Sequence, residues 1–148
     1  MAKKWSKASY GKTALSARFS VTGVEEFFKA IQNAGKNCDE ACKKAIDSAL
    51  PIVAESMKVG AERHRRTGEV VDALEVQEAC YQGNYIYGQV GIDLDKHPEA
   101  FEAVFQEYGD GHSPEFPDPF VRPAVDDNRR EINKTIKQIL KKEGIPVE

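Results

Sequence analysis

Apolar positions first repeat at helical spacing just after Phe19, where the folded body is expected to open. Thr22 and Glu25 form a capping box, each side chain able to satisfy the other's orphan backbone N–H. Val24, Phe27, Phe28 and Ile31 follow at spacings of three and four, and Gly35 suits a left-handed end, which predicts a short amphipathic helix. A longer helix is predicted from Asn37 to near Gly60. Its apolar stripe is Cys38, Ala41, Cys42, Ala45, Ile46, Ala49, Val53 and Met57. Pro51 removes one i→i−4 bond and predicts a kink near Leu50 instead of a split, because the stripe keeps its phase on both sides.

Residues 61–68 are polar and without period, and read as a loop; the period then changes to two. Leu74, Val76 and Cys80 share one face, with Glu75 and Gln77 on the other. Past the Gln82-Gly83-Asn84 turn, Ile86, Val90 and Ile92 alternate with Tyr85, Tyr87 and Gln89. This is the pattern of an antiparallel hairpin with one buried face. Pro98 opens a helix bearing Phe101, Val104, Phe105 and Tyr108, which Gly109 closes. A last helix is expected from Pro119–Pro123 to about Glu143, with Val125, Ile132, Ile136, Ile139 and Leu140 as its stripe and Gly144 as its stop. Together these elements predict an α+β fold: helices packed on one face of a small antiparallel sheet, with a long helix in the N-terminal half and a helix at the C-terminus.

Charge adds a division of the chain. Lys3, Lys4, Lys7, Lys12 and Arg18 give residues 1–20 a charge of +5, so a net −3 leaves −8 on residues 21–148. Residues 1–18 therefore read as a basic, flexible arm, and 19–148 as a single domain. Such an arm either docks on a partner or is simply a solvated tail. The 148 residues are 41% hydrophobic, enough for one core. Mean hydropathy is −0.54 and no run approaches a membrane span, which predicts a soluble protein; the N-terminus lacks the apolar stretch of a secretory signal. Three cysteines read as free thiols of a reducing compartment, Cys38 and Cys42 as small core residues.

Candidate chemistry is sparse. Lys58, Arg63, His64, Arg65 and Arg66 resemble a phosphate-binding patch, but Glu55, Glu62 and Glu69 lie among or beside them and the pI is about 5.7. Asp93, Asp95 and His97 alternate as oxygen and imidazole ligands do, yet no second cluster accompanies them, and capping turns use the same residues. Asp110 and His112 suggest an acid–base pair without a nucleophile. No catalytic, metal or cofactor site is expected from these residues. The segment 108–123 is odd for a plain connection, holding four prolines and three aromatics. Prolines stiffen it, and Phe116 and Phe120 are either anchors for a partner or side chains folded back on the core.

Three pieces of sequence, spanning roughly 19–140, carry a resemblance. They are Phe19-Ser-Val-Thr-Gly-Val-Glu-Glu-Phe-Phe-Lys-Ala; Lys58 followed by Arg66-Thr67-Gly68-Glu69-Val70-Val71-Asp72-Ala73-Leu74; and Val104-Phe-Gln-Glu-Tyr-Gly109 followed by Pro119-Phe-Val-Arg-Pro-Ala124. In this order the chain resembles the head–tail joining proteins of long-tailed bacteriophages, also called tail-completion, neck or minor tail proteins. The resemblance implies a structural, non-enzymatic virion protein without cofactor. It would form a ring, expected to hold six copies, between capsid and tail, and would be in the host cytoplasm during assembly. Implied partners are further copies of itself, neighbouring neck and tail proteins, and genomic DNA passing through the channel without sequence-specific binding. An acidic body would let that DNA slide. Implied contacts are Lys58, Arg66, Thr67 and Gly68 on one loop, Glu107 and Gly109 on the third helix, and Phe116, Pro119, Phe120, Arg122 and Pro123 on the Pro-rich segment. The alternative is a small nucleic-acid-binding or nuclease-like protein using the arm and the Lys58–Arg66 loop. It would lose salt-sensitive DNA affinity on changing Arg63, Arg65 and Arg66 to Ala, whereas the ring reading expects at most weak duplex affinity, from the arm.

Overall fold

The computed structural model describes residues 14–20, Lys29, Gln32 and residues 38–148 except 84. The basic arm lysines lie outside these residues. So does the expected capping-box helix, apart from Lys29 and Gln32, which are helical and exposed. The elements in order are β1 (Ala14–Ser20), α1 (Cys38–Glu62), α2 (Glu69–Asp72), β2 (Leu74–Gln82), β3 (Tyr85–Asp93), a 3₁₀ turn (Pro98–Phe101), α3 (Glu102–Tyr108), α4 (Val121–Asp126) and α5 (Arg129–Lys142). This is the expected α+β architecture, with α1 against the sheet and α5 against α1.

All eight predicted stripe positions of α1 are buried, joined by Leu50, Gly60 and Ala61. Pro51 sits on the exposed side, and α1 runs through it as one helix of 25 residues. The hairpin β2–β3 forms as predicted, but the sheet has a third strand in the order β1-β3-β2, all antiparallel. Strand β1 begins at Ala14, which moves the opening of the folded body ahead of Phe19 and takes residues 14–18 out of the expected flexible arm. Ser16 pairs with Gly91, where the two backbones come so close that a β-carbon on Gly91 would overlap Ser16. On the other side, a β-carbon on Gly88 would lie 2.7 Å from Ile46 Cγ2 and 2.8 Å from Leu50 Cδ2, so glycine is what lets β3 press against α1.

The face of β3 expected to meet solvent is largely buried: Tyr87, Gln89 and Asp93 are all buried, and Gln89 Nε2 donates to Ser16 Oγ on the neighbouring strand β1 at 3.2 Å. The hairpin face on β2 is also not as predicted. Register slips between Gln77 and Cys80, so Ala79 and Cys80 are both buried and Cys80 joins the face of Tyr87; Val76, paired in register with Val90, is half exposed. A bulge leaves a ladder N–H unpaired. Here the Asp47 carboxylate of α1 takes the Ala79 N–H at 2.6 Å. Burial pushes the Asp47 carboxyl up from its ordinary range.

The C-terminal helix is interrupted. Asp127 N–H bonds Pro123 C=O, Asn128 Nδ2 donates to Ala124 C=O, and α5 restarts at Arg129. Ile132 and Leu140 are buried, with Val125, Ile136 and Ile139 packed against the core. Gly144, at φ 77°, ends α5: its N–H bonds Lys141 C=O, and Ile145 N–H bonds Leu140 C=O, the double closure that satisfies the last carbonyls. Among the described residues no helix is long and apolar enough to cross a membrane.

Candidate functional site

The end of α1, the loop after it, α3 and the Pro-rich segment converge on one side of the molecule. Arg63, past the end of α1, makes a forked pair with Asp118, Nε to Oδ2 at 2.7 Å and Nη2 to Oδ1 at 2.8 Å, and Nη2 also donates to Pro119 C=O at 3.1 Å. His64 Nε2 reaches Asp118 Oδ2 at 2.8 Å, and its ring lies 4.9 Å from that of Phe116. The Arg63 guanidinium, with His64 behind it, holds the Asp118 carboxyl below its ordinary range. Phe120 is buried against Gly60, where a β-carbon would come within 2.5 Å of Phe120 Cβ. Phe120 is therefore a core residue, not an exposed contact, because only a glycine on α1 leaves room for it.

Glu107 is likewise not an exposed contact. It is buried, and its carboxylate accepts the N–H groups of Phe120 at 2.8 Å, Val121 at 2.9 Å and Arg122 at 3.3 Å. These are donors at the start of α4 that have no partner within that helix. Next to it, the Gln106 carboxamide donates to Gly60 C=O at 2.9 Å, and Gln106 C=O accepts from Asp118 N–H. Both halves of the Glu-Tyr-Gly…Pro-Phe-Val-Arg-Pro-Ala pattern are thus one hydrogen-bonded unit.

These bonds decide the rotation of α3. Sequence places Phe101, Val104, Phe105 and Tyr108 on its buried face; instead Ala100, Ala103, Gln106 and Glu107 point inward. Phe101 is 45% exposed, Phe105 39% and Tyr108 65%. Leaving several buried N–H and C=O groups unpaired costs about 1–3 kcal/mol each. Phe101 and Phe105 already keep more than half of their surface covered. Turning the three aromatics inward would therefore recover only part of the roughly 1.5–3 kcal/mol of each. That is less than the four backbone groups held by Gln106 and Glu107 would lose together, and the polar side wins the interior. Phe101 and Phe105 meet edge to face with centroids 5.4 Å apart. Phe105 also borders a cleft of about 530 Å³ with Val70 and Phe116, rimmed by Arg65, Arg66 and Glu115.

The remaining predicted residues sort as follows. Lys58 and Arg122 are exposed, and Pro119 and Pro123 are half-buried, the latter inside α4. Thr67 is exposed and its Oγ1 accepts from Glu69 N–H at 3.4 Å. Gly68, at φ 95°, starts α2 under the Arg65 guanidinium. Gly109, at φ 89°, closes α3 with a bond to Phe105 C=O. In the 61–68 loop, Arg65 Nη1 pairs with Glu62 at 3.0 Å and Arg66 Nη1 with Glu102 at 3.5 Å. With Arg63 on Asp118, the three arginines of the candidate phosphate patch each face a carboxylate.

Other candidates resolve into local structure. Asp93 is buried and accepts the Asp95 N–H, while His97 lies between Glu99 at 3.0 Å and Glu75 at 3.2 Å. Among the described residues no three His, Cys, Asp or Glu side chains converge as metal ligands do. Asp110 accepts the backbone N–H of His112 and both groups of Ser113, not the imidazole; the Ser113 hydroxyl, at 2.6 Å, is the main reason its carboxyl is held down to about 2. Cys38 and Cys42 are buried free thiols, and burial pushes the Cys42 thiol up to about 12. No family model, curated protein or solved structure matches the chain.

Proposed function

We propose that this chain is a structural subunit of the neck or tail end of a long-tailed phage virion. It would assemble as a closed ring, expected to hold six copies, that joins tail to head around the DNA channel. The observation that carries the reading is the α3 face: three aromatics at helical spacing, turned outward beside a stiff Pro-rich segment. In an isolated chain that surface is wasted; in a head-to-tail ring one patch on each copy meets a different patch on the next, and the rotation closes. Two of the three pieces that carry the sequence resemblance, Arg66–Leu74 and Val104–Gly109 with Pro119–Ala124, fall on the elements that build this side of the molecule, and the first piece lies largely outside the described residues. Arg66 and Phe116 border the same surface, whereas Glu107 and Phe120 hold it together from inside.

The nucleic-acid alternative draws on the Arg63–Arg66 loop, whose arginines are already paired with Asp118, Glu62 and Glu102. Light-scattering mass over a concentration series tests the ring. A discrete species near six times 16.5 kDa that Phe105→Glu disperses supports it. A wild-type chain that is monomeric throughout, with the same mass as Phe105→Glu, removes it as a self-assembling ring.

A further inference from the structure

The outward face of α5 carries Arg130, Lys134, Lys137 and Lys141, all exposed. Their spacing of four, three and four puts them in one row about 16 Å long, on the side of the helix away from the buried Ile132 and Leu140. Asn133 and Gln138 flank the row, and with it border an open depression of about 440 Å³. Among the described residues none of the four cations has a carboxylate partner, whereas Arg129, one position before the row, pairs with Asp126 at 2.9 Å. The contrast with the 61–68 loop is instructive: the basic cluster that stands out in the sequence is neutralised in place, and the one dispersed along α5 is not.

We propose that this face is a sequence-independent contact for the phosphodiester backbone of duplex DNA. Lysine predominates in it, and lysine acts as a point charge without the planar fork that reads bases. Asn133 and Gln138 add the amide donors that accompany cations at phosphate oxygens. The row bears no aromatic side chain, so it offers no stacking platform for single strands. The apolar side chains of α5 face the core, leaving nothing to insert in a bilayer. Successive cations lie about 4.5–6 Å apart along the helix axis, and each strand of duplex DNA carries one phosphate for about every 3.4 Å of duplex axis, so phosphates are dense enough for each cation to meet its own. The contact belongs to a single chain and does not rest on ring closure, and it departs from the expectation that duplex affinity resides at most in the arm.

The test is fluorescence anisotropy of the full chain with a labelled mixed-sequence duplex of about three turns, between about 50 and 200 mM salt. Four phosphate contacts predict that α5 alone contributes a slope of about −3 to −4 in log affinity against log salt, about a hundred-fold loss over that range. Changing Arg130, Lys134, Lys137 and Lys141 together to Gln should remove that part of the slope, and Lys137→Gln alone should make the slope shallower by about 0.9, a quarter of that part, while leaving the far-UV spectrum unchanged. Arg65→Gln with Arg66→Gln should leave the slope as it is. An unchanged slope in the Lys137→Gln and fourfold variants overturns the assignment. So does a loss confined to the Arg65/Arg66 variant, or binding of polyglutamate in place of the duplex. Oligomeric mass, measured on the same samples, reports on the ring independently.

Discussion

Glu107 offers the sharpest test of the fold, because a side chain expected as a subunit contact is instead a buried carboxylate that links α3 to the start of α4. Glu107→Ala removes the acceptor for Phe120 N–H and Val121 N–H, both buried, and for the partly buried Arg122 N–H. At about 1–3 kcal/mol for each buried donor left without a partner, the two short bonds alone account for about 3–4 kcal/mol. That is a large share of the roughly 5–15 kcal/mol that holds a domain of this kind together. At about 2–4 °C per kcal/mol for a chain of this size, the melting temperature should fall by roughly 10 °C. Glu107→Gln keeps one acceptor oxygen but turns an NH₂ group toward the remaining donors, and should lose about half as much. Urea denaturation followed by circular dichroism measures both variants, with the slope against urea checking that the transition stays two-state. A Glu107→Ala variant within about 0.5 kcal/mol of wild type would refute the capping argument. If that variant also failed to assemble, Glu107 would return to the role of a subunit contact.

Two further predictions concern the core and the loop. Gly88→Ala places a methyl group against Ile46 and Leu50, at 2.7–2.9 Å from their side chains, and should destabilise by about 1–3 kcal/mol in the same denaturation assay; a neutral result would mean that α1 and β3 separate freely. The depressed carboxyls of Asp110 and Asp118 predict an acid-side effect: their contribution is fully present above the ordinary value of 3.8 and is lost as pH falls below it, for Asp110 toward about 2. Melts of wild type and Asp110→Asn should therefore differ most near neutral pH and converge toward pH 2; a constant gap would disconnect Asp110 from its Ser113 and His112 bonds.

The two proposals place function on opposite kinds of surface. The α3 side is apolar and aromatic, suited to a protein neighbour through desolvation of large side chains. The α5 row is cationic and hydrated, suited to a backbone of phosphates whose affinity is set by counterion release. If both hold, subunit contact and DNA contact are separable by mutation.

What the sequence determined by itself is what near neighbours along the chain decide. The buried stripe of α1 repeats every three or four residues, so one helix period identifies all eight positions. The Gly83 turn and the Gly144 stop are likewise legible, since each needs only a residue that accepts positive φ. Tertiary structure decided whatever depends on residues far apart. Strand β1 has no strong pattern of its own and is specified by pairing with β3, 67 to 79 residues away along the chain. The Asp47–Ala79 bond holds the bulge that moves Cys80 off the face of Val76 and onto that of Tyr87. The outward turn of Phe101, Phe105 and Tyr108 is the clearest case, for their spacing alone predicts burial. Only the demands of Gly60 C=O and of the α4 N–H groups for Gln106 and Glu107 set the opposite rotation, since those backbone groups would together lose more unpaired than the partly covered aromatics would gain by turning inward.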